Sequence, residues 1–107
     1  MRSKGNEAEL VANEFLQSNG FVIIDTNFYS KFGEIDIIAI KNEVIHFVEV
    51  KSGANFDALQ NITPAKLQKI MKSIDYYLMI KKLNLNYCIS AIIINGSNIE
   101  FLENIGF

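Results

Sequence analysis

Three charged residues near the middle of the chain, Asp36, Glu49 and Lys51, have the types and spacing that phosphate chemistry needs. They lie within residues 33–51, GEIDIIAIKNEVIHFVEVK, whose alternating polarity and many Ile and Val residues predict two β-strands joined by a short turn. If the turn has two residues, Asp36 lies directly opposite Glu49, with Cβ atoms about 4.5–5.5 Å apart. Two carboxylates this close repel each other unless a proton or a cation lies between them. The segment therefore predicts a cation site.

Each of these residue types has a use in the hydrolysis of a phosphodiester. Asp36 and Glu49 can hold Mg²⁺ or Mn²⁺ and leave most of its coordination positions to water and phosphate oxygens. Such a metal lowers the pKa of a bound water and neutralises phosphate charge. Lys51 shares the face of Glu49 and can orient the water or stabilise the transition state. Glu34 is predicted on the same face, either as a further metal ligand or as the ion-pair partner of Lys51.

The same residues also have a purely structural interpretation. Glu34 and Lys51 then form a cross-strand salt bridge, and Asp36 and Glu49 are solvated residues at the rim of the sheet. The register of the hairpin decides between these two interpretations, because a slip of one residue would send Asp36 and Glu49 to opposite faces of the sheet. The predicted register depends on a two-residue turn at 42–43. It places Glu34, Asp36, Ile38 and Ile40 on one face, and Ile35, Ile37 and Ala39 on the other.

The surrounding elements must position this hairpin, and the sequence predicts a helix, three strands, a second helix and two strands. Both faces of the hairpin are largely apolar, so it belongs in the middle of an α/β sandwich. A chain of 107 residues forms one domain, 1–107. A loop is expected over 52–62. The predicted bounds are a helix over 4–19 that stops at Gly20, a strand over 21–28, the hairpin over 33–51, a helix from Thr63-Pro64 to about Leu83, and strands over 86–94 and 98–102.

The composition predicts a cytoplasmic protein without a membrane partner. The chain is 50% hydrophobic and 21% charged, as is common for globular domains. The longest apolar run, Tyr76–Ile80, is too short to span a membrane, and no apolar segment follows the first basic residues. Cys88 is the only cysteine, so it is predicted to be a core thiol in a reducing compartment. His46 is predicted to face Ala39 as a core histidine rather than as a catalyst.

A basic helix contrasts with the acidic first half of the chain. Residues 1–57 hold five basic and nine acidic side chains, whereas 58–107 hold five and three. Lys66, Lys69 and Lys72 lie off the apolar stripe of the second helix, and its start is expected beside Glu49. These lysines are predicted to bind the substrate. The alternative is that they merely solvate an exposed helix face.

The motifs of this chain resemble those of the YraN-like family of uncharacterised bacterial proteins. The resemblance begins with GEIDIIAI followed by FVEVKS, with NF five residues before GEID. The first helix is similar to the family pattern G-E-x-x-A-x-x-[YF]-L, and the second helix begins with a similar lysine-bearing segment. That family in turn resembles restriction-endonuclease-like nucleases, including archaeal Holliday-junction resolvases, in fold and in an Asp, Glu-x-Lys motif. The matching positions in the two helices and at the end of the chain are Glu9, Ala12, Phe15 and Leu16, then Thr63-Pro64-Ala65-Lys66, and Ile105-Gly106-Phe107.

The resemblance implies a restriction-endonuclease-like sandwich with a central mixed sheet of about five strands flanked by helices. It implies Asp36, Glu49 and Lys51 as the catalytic core, with Glu9 and Lys66 as helpers. The chain departs from the family pattern at three points: Ala8 stands for a Gly, residues 52–54 offer no Arg, and Cys88-Ile89-Ser90 stands for Arg-x-Asp. Losing arginines weakens phosphate binding.

The leading functional prediction is a Mg²⁺- or Mn²⁺-dependent nuclease that acts on DNA, including branched or damaged DNA. One alternative is a catalytically silent nucleic-acid-binding module of the same fold. Another is a small interaction protein, which the acidic pI of about 5.3 favours. A homodimer is compatible with all three.

Overall fold

Alternating Ile- and Val-rich segments build a mixed sheet of five strands, and two amphipathic helices cover it. The computed structural model describes residues 3–53 and 63–105. The predicted order of elements and the α/β sandwich are confirmed. The elements are α1 (Ser3–Ser18), β1 (Val22–Ser30), β2 (Gly33–Lys41), β3 (Val44–Ser52), α2 (Pro64–Lys81), β4 (Asn86–Asn95) and β5 (Asn98–Leu102).

The strands lie in the sheet in their order along the chain, from β1 to β5. The neighbours β3 and β4 are parallel, as predicted, and the other pairs are antiparallel. A parallel pair needs a long connection, which α2 supplies here. Most of the predicted loop over 52–62 falls on residues 54–62, which lie outside the described part of the chain.

The turn of the central hairpin has the two residues that the sequence predicts. Asn42 and Glu43 have φ values of 53° and 65°, as a type I′ turn requires. The register follows, with Ala39 paired to His46 and Ile37 paired to Val48. The predicted register of β2 and β3 is therefore confirmed from the turn to Ile37 and Val48, and the predicted pairs of Asp36 with Glu49 and of Glu34 with Lys51 lie beyond the paired part of the strands.

The predicted faces of β2 are wrong at one point. Ile35 packs with Ile38 on the side of α2, whereas Ile37 and Ala39 pack with α1. A strict alternation would put Ile35 and Ile37 on the same face. The alternation is therefore interrupted once, at Asp36, so Glu34 and Asp36 do not share the face of Ile38 and Ile40 as predicted. The physical reason lies in the neighbouring strands: pairing with β3 ends at Ile37, and the left-handed Asn27 of β1 lies across from Asp36, between the pairs Thr26–Ile37 and Phe28–Ile35.

The first helix ends, and the second begins, at the predicted signals. At the end of α1, Gly20 has a φ of 88°, and the N–H of Phe21 donates to the carbonyl of Leu16 over 3.0 Å. At the start of α2, the side chain of Thr63 accepts the N–H of Lys66 over 3.2 Å. No helix among the described residues is long and apolar enough to cross a membrane.

His46 is a core residue, as predicted. Its side chain is 4% exposed, and its Nδ1 lies 3.1 Å from Ser90 Oγ and 3.2 Å from Cys88 Sγ. Cys88 is a free thiol. A cavity of about 640 Å³ opens beside this group, where Lys41 and Phe21 also line it. This cavity lies at the hairpin-turn end of the sheet, away from the predicted catalytic residues.

Candidate functional site

The strands β2 and β3 separate where the sequence places its chemically active residues. Their backbone pairing ends at Ile37 and Val48, although both strands continue beyond these residues. Past this point Asp36 Oδ2 accepts the N–H of Val50 over 2.8 Å. We call this opening the fork. The bond fixes the carboxylate of Asp36 to the backbone between Glu49 and Lys51.

Three half-buried carboxylates meet at the fork. Oxygen atoms of Glu9, Glu34 and Asp36 all lie within 4.8 Å of one another. Glu9 comes from α1, and the other two come from β2, so the cluster joins a helix to the sheet. From the residues alone Glu9 could not be told from Glu7 or Glu14, and only the family resemblance selects it.

The predicted metal ligands were Asp36, Glu49 and Glu34, and the structure groups them differently. Glu34 and Asp36 belong to the cluster with Glu9, whereas Glu49 is not a member of that group. The neighbours of Glu49 explain this. Val48 and Val50 pack on the α1 side, so alternation directs Glu49 and Lys51 to the other side of β3. The carboxylate of Asp36 lies between, in the opening of the fork.

The pKa values show that Glu49 and Asp36 still interact. Burial, and to a smaller extent the charge of Asp36, raise the pKa of Glu49 to about 8. Burial also raises the pKa of Asp36 to about 6, and the bond from Val50 opposes this shift. The charge of Lys51 lowers the pKa of both groups. At neutral pH the metal-free site therefore keeps a proton on Glu49, while most Asp36 side chains are ionised.

The residues at the fork are of the type that could hold a hard divalent cation. Such ions take oxygen ligands, and the cluster offers three carboxylates within 4.8 Å. In addition, Glu49 Oε2 is buried and has no hydrogen-bond partner within the described residues. A buried acceptor without a donor is costly, and a cation would remove that cost.

The backbone beside the cluster is irregular in ways that the sequence analysis missed. Asn27 lies in β1 with a φ of 52°, and the pairing of β1 with β2 shifts between Ile23 and Asp25. Asn tolerates this conformation better than most residues, which is the one signal that the sequence offers. Asn13 was missed too. It follows Glu9 by one helical turn, and its Oδ1 is buried without a partner among the described residues.

The predicted substrate-binding lysines, Lys66, Lys69 and Lys72, are all exposed. The direction of α2 is fixed by two contacts. Lys72 Nζ lies 5.9 Å from the centre of the Phe32 ring, and Lys81 Nζ lies 3.9 Å from Asp25 Oδ2. The first half of α2 therefore lies at the end of the sheet where β1 turns into β2. Substrate binding by these lysines stays a prediction.

The fold and the fork define an α/β protein with a candidate cation site where two central strands separate. Residues 8–94 match the model of a family described as Uncharacterised protein family UPF0102, and the chain belongs to this family. It is 57% identical to a UPF0102 protein of Wolinella succinogenes over 97% of this chain and 96% of that protein. A UPF0102 protein of Helicobacter pylori strain HPAG1 is 54% identical over 99% and 93% of the two chains. One of Helicobacter hepaticus is 48% identical over 97% and 94%.

Proposed function

We propose that this protein is a Mg²⁺- or Mn²⁺-dependent nuclease that hydrolyses phosphodiester bonds in DNA, including branched or damaged DNA. The observation that carries the proposal is the meeting of Glu9, Glu34 and Asp36 at a fork that also holds Glu49 and Lys51. The resemblance of the Asp and Glu-x-Lys motif to that of restriction-endonuclease-like nucleases supports it. A reducing, cytoplasmic location is part of the same proposal.

The carboxylates of Glu9, Glu34 and Asp36 would hold the metal. When bound, the metal supplies a nucleophile near neutral pH and neutralises charge on the phosphate. Asp36 suits this role because the N–H of Val50 fixes its Oδ2 over 2.8 Å. A ligand held in this way loses little freedom on binding.

Glu49 and Lys51 would act on the reacting groups from the other side of the fork. With a pKa of about 8, Glu49 can hold or accept a proton near neutral pH, which general acid–base catalysis requires. Lys51 carries a positive charge next to both carboxylates, as its effect on their pKa values requires. It can therefore orient a water or stabilise charge on the phosphate in the transition state.

The test is a cleavage screen with purified protein. Duplex, single-stranded, flap and four-way DNA are incubated with Mg²⁺ or Mn²⁺, with EDTA as the metal-free arm. We expect cleavage of at least one substrate, loss of cleavage in EDTA, and loss in Asp36→Ala. Cleavage that survives in Asp36→Ala, or no cleavage of any substrate, would contradict the proposal.

A catalytically silent nucleic-acid-binding module is the second candidate. It is favoured by the positions where the family pattern has arginines and this chain has Ser52, Gly53 and Cys88. In that case the protein shifts DNA in a gel in a salt-dependent manner without cutting it. If it neither binds nor cuts DNA, a role in protein interaction is left.

A further inference from the structure

A small surface of aromatic and basic residues lies at the turn between β1 and β2, at the same end of the sheet as the fork. It consists of Lys31 and Phe32 in the turn between β1 and β2, and Lys72 and Tyr76 on α2. We call it the aromatic-basic surface. The side chains of Lys31 and Lys72 are exposed, and Tyr76 is 40% exposed. A cavity of about 290 Å³ opens here and is lined by Tyr29, Ser30, Lys31, Phe32 and Tyr76.

Several contacts hold this surface in one arrangement. Ser30 Oγ accepts the N–H of Phe32 over 3.1 Å and lies 3.0 Å from Ser73 Oγ, so the turn is fastened to α2. Two ammonium groups share the Phe32 ring, with Lys31 Nζ 5.3 Å and Lys72 Nζ 5.9 Å from its centre. A rigid surface that combines rings and positive charge pays little entropy on binding.

The aromatic-basic surface also lies close to the carboxylates. Phe32 precedes Glu34 by two residues, which is about 7 Å along a strand. Lys72 and Tyr76 are one helical turn apart, so they are neighbours on α2. The aromatic-basic surface and the carboxylates therefore lie at the same end of the sheet, where β1 turns into β2.

We propose that the aromatic-basic surface binds an unpaired nucleotide, and that the DNA substrate is single-stranded next to the bond that is cut. An exposed ring such as Tyr76 can stack on a base only if that base is not already stacked in a duplex. Every base has a flat aromatic face, so this stacking contact does not depend on the DNA sequence. Lys31 and Lys72 then bind the flanking phosphates. This inference rests on the proposed nuclease function and narrows its substrate.

The test is fluorescence anisotropy with a labelled single-stranded oligonucleotide and a duplex of the same length, in Ca²⁺ to separate binding from cleavage. We expect Tyr76→Ala to weaken binding of the single strand about fivefold or more, since stacking on one ring contributes about 1–3 kcal/mol per base. Binding of the duplex should change less than twofold. Lys72→Ala should lower the salt slope on the single strand by about 0.7.

Matched variants distinguish the loss of base stacking from the loss of the folded structure. Tyr76→Phe keeps the ring and should bind like the wild type. Met79→Ala removes a side chain that is 65% exposed on the same helix and should also bind like the wild type. Because the Tyr76 ring lies 6.2 Å from that of Phe28, thermal unfolding is measured for each variant. If Tyr76→Ala is unfolded, Tyr76→Leu replaces it, since Leu fills the space without a flat ring.

The outcomes distinguish the two proposals. If the protein cuts DNA but Tyr76→Ala and Tyr76→Leu bind the single strand like the wild type, this inference is wrong and the nuclease proposal stands. Equal losses on single strand and duplex would also overturn it. If the wild type neither binds nor cuts any DNA, the nuclease proposal fails and this inference fails with it.

Discussion

Glu49 is the residue whose chemistry is most altered by the fold. An ordinary Glu carboxyl has a pKa near 4.5, and burial raises that of Glu49 to about 8. Asp36 is raised less, to about 6, because the N–H of Val50 stabilises its charged form. One carboxyl at the fork is thus neutral and another mostly charged at pH 7. Such a pair is typical of sites that move protons or exchange a proton for a metal.

This difference predicts how stability depends on pH. The folded pKa of Glu49 is raised, so the folded state binds more protons than the unfolded state between about pH 4.5 and 8. Its contribution to stability is fully present below pH 4.5 and is lost as the pH rises toward 8. In metal-free buffer, we expect Glu49→Gln to be more stable than the wild type at pH 8 by about 4 kcal/mol, and the difference to fall below about 1 kcal/mol near pH 5. Urea unfolding at both values checks this.

The same measurements with Mn²⁺ give the control. At pH 8 a cation held by the neighbouring cluster would stabilise the charged form of Glu49, so millimolar Mn²⁺ should raise the Tm of the wild type more than that of Glu49→Gln. Asp36→Asn, which removes a charge from the cluster, should also respond less to Mn²⁺. Equal shifts in all three proteins would mean that the metal binds elsewhere.

At the scale of the elements, the β2–β3 hairpin positions the residues of the candidate site. Its turn contains one residue with a strained backbone conformation. Glu43 has a φ of 65° at the second turn position, where Asn-Gly is the favoured pair. We expect Glu43→Gly to stabilise the protein by about 0.5–1 kcal/mol, since glycine adopts this conformation without a steric cost. The midpoint of urea unfolding measures the change.

Glu43→Ala is the matched control for this turn. It removes the charge and the length of the side chain but keeps the Cβ atom that causes the strain. Glu43→Ala should therefore show no comparable gain. If both variants gain equally, the charge of Glu43 and not its backbone conformation limits the stability of the turn.

The hairpin also shows what the sequence can predict and where it cannot. The register was predictable because a two-residue turn and two alternating strands leave a single pairing. The change of face at Asp36 was not predictable from the sequence. An alternating pattern contains no sign of the residue at which the alternation of faces is interrupted. Only backbone geometry, such as the φ of 52° at Asn27, reveals that point. Glu9 could be placed by resemblance but not by helix periodicity, which treats all exposed helix carboxylates alike.

At the scale of the whole molecule, a net charge of −2 must be reconciled with a polyanionic substrate. The exposed lysines on the first half of α2 provide local positive charge, and bound divalent ions would offset the carboxylates. We expect Lys66→Ala/Lys69→Ala to weaken DNA binding and to lower its salt slope on duplex DNA by about two. Gel shifts over a range of salt concentrations in Ca²⁺ measure both quantities.

The other end of the same helix supplies the comparison. Lys81→Ala/Lys82→Gly removes the same number of charges there, and glycine suits the φ of 55° at Lys82. This variant should keep the salt slope of the wild type. Equal slopes in both double variants would show that only total charge matters and that DNA does not follow the first half of α2.

The irregular course of β1 has a consequence for the behaviour of the protein at high concentration. β1 forms one edge of the sheet, and Val22 on it is 63% exposed. A straight, apolar edge would invite another chain to extend the sheet and start a fibril. Here the register shift after Ile23 and the left-handed Asn27 interrupt its row of free backbone groups. The opposite edge, β5, has only five residues. The same distortion of β1 lies next to the carboxylates at its inner edge and hinders the addition of another strand at its outer edge.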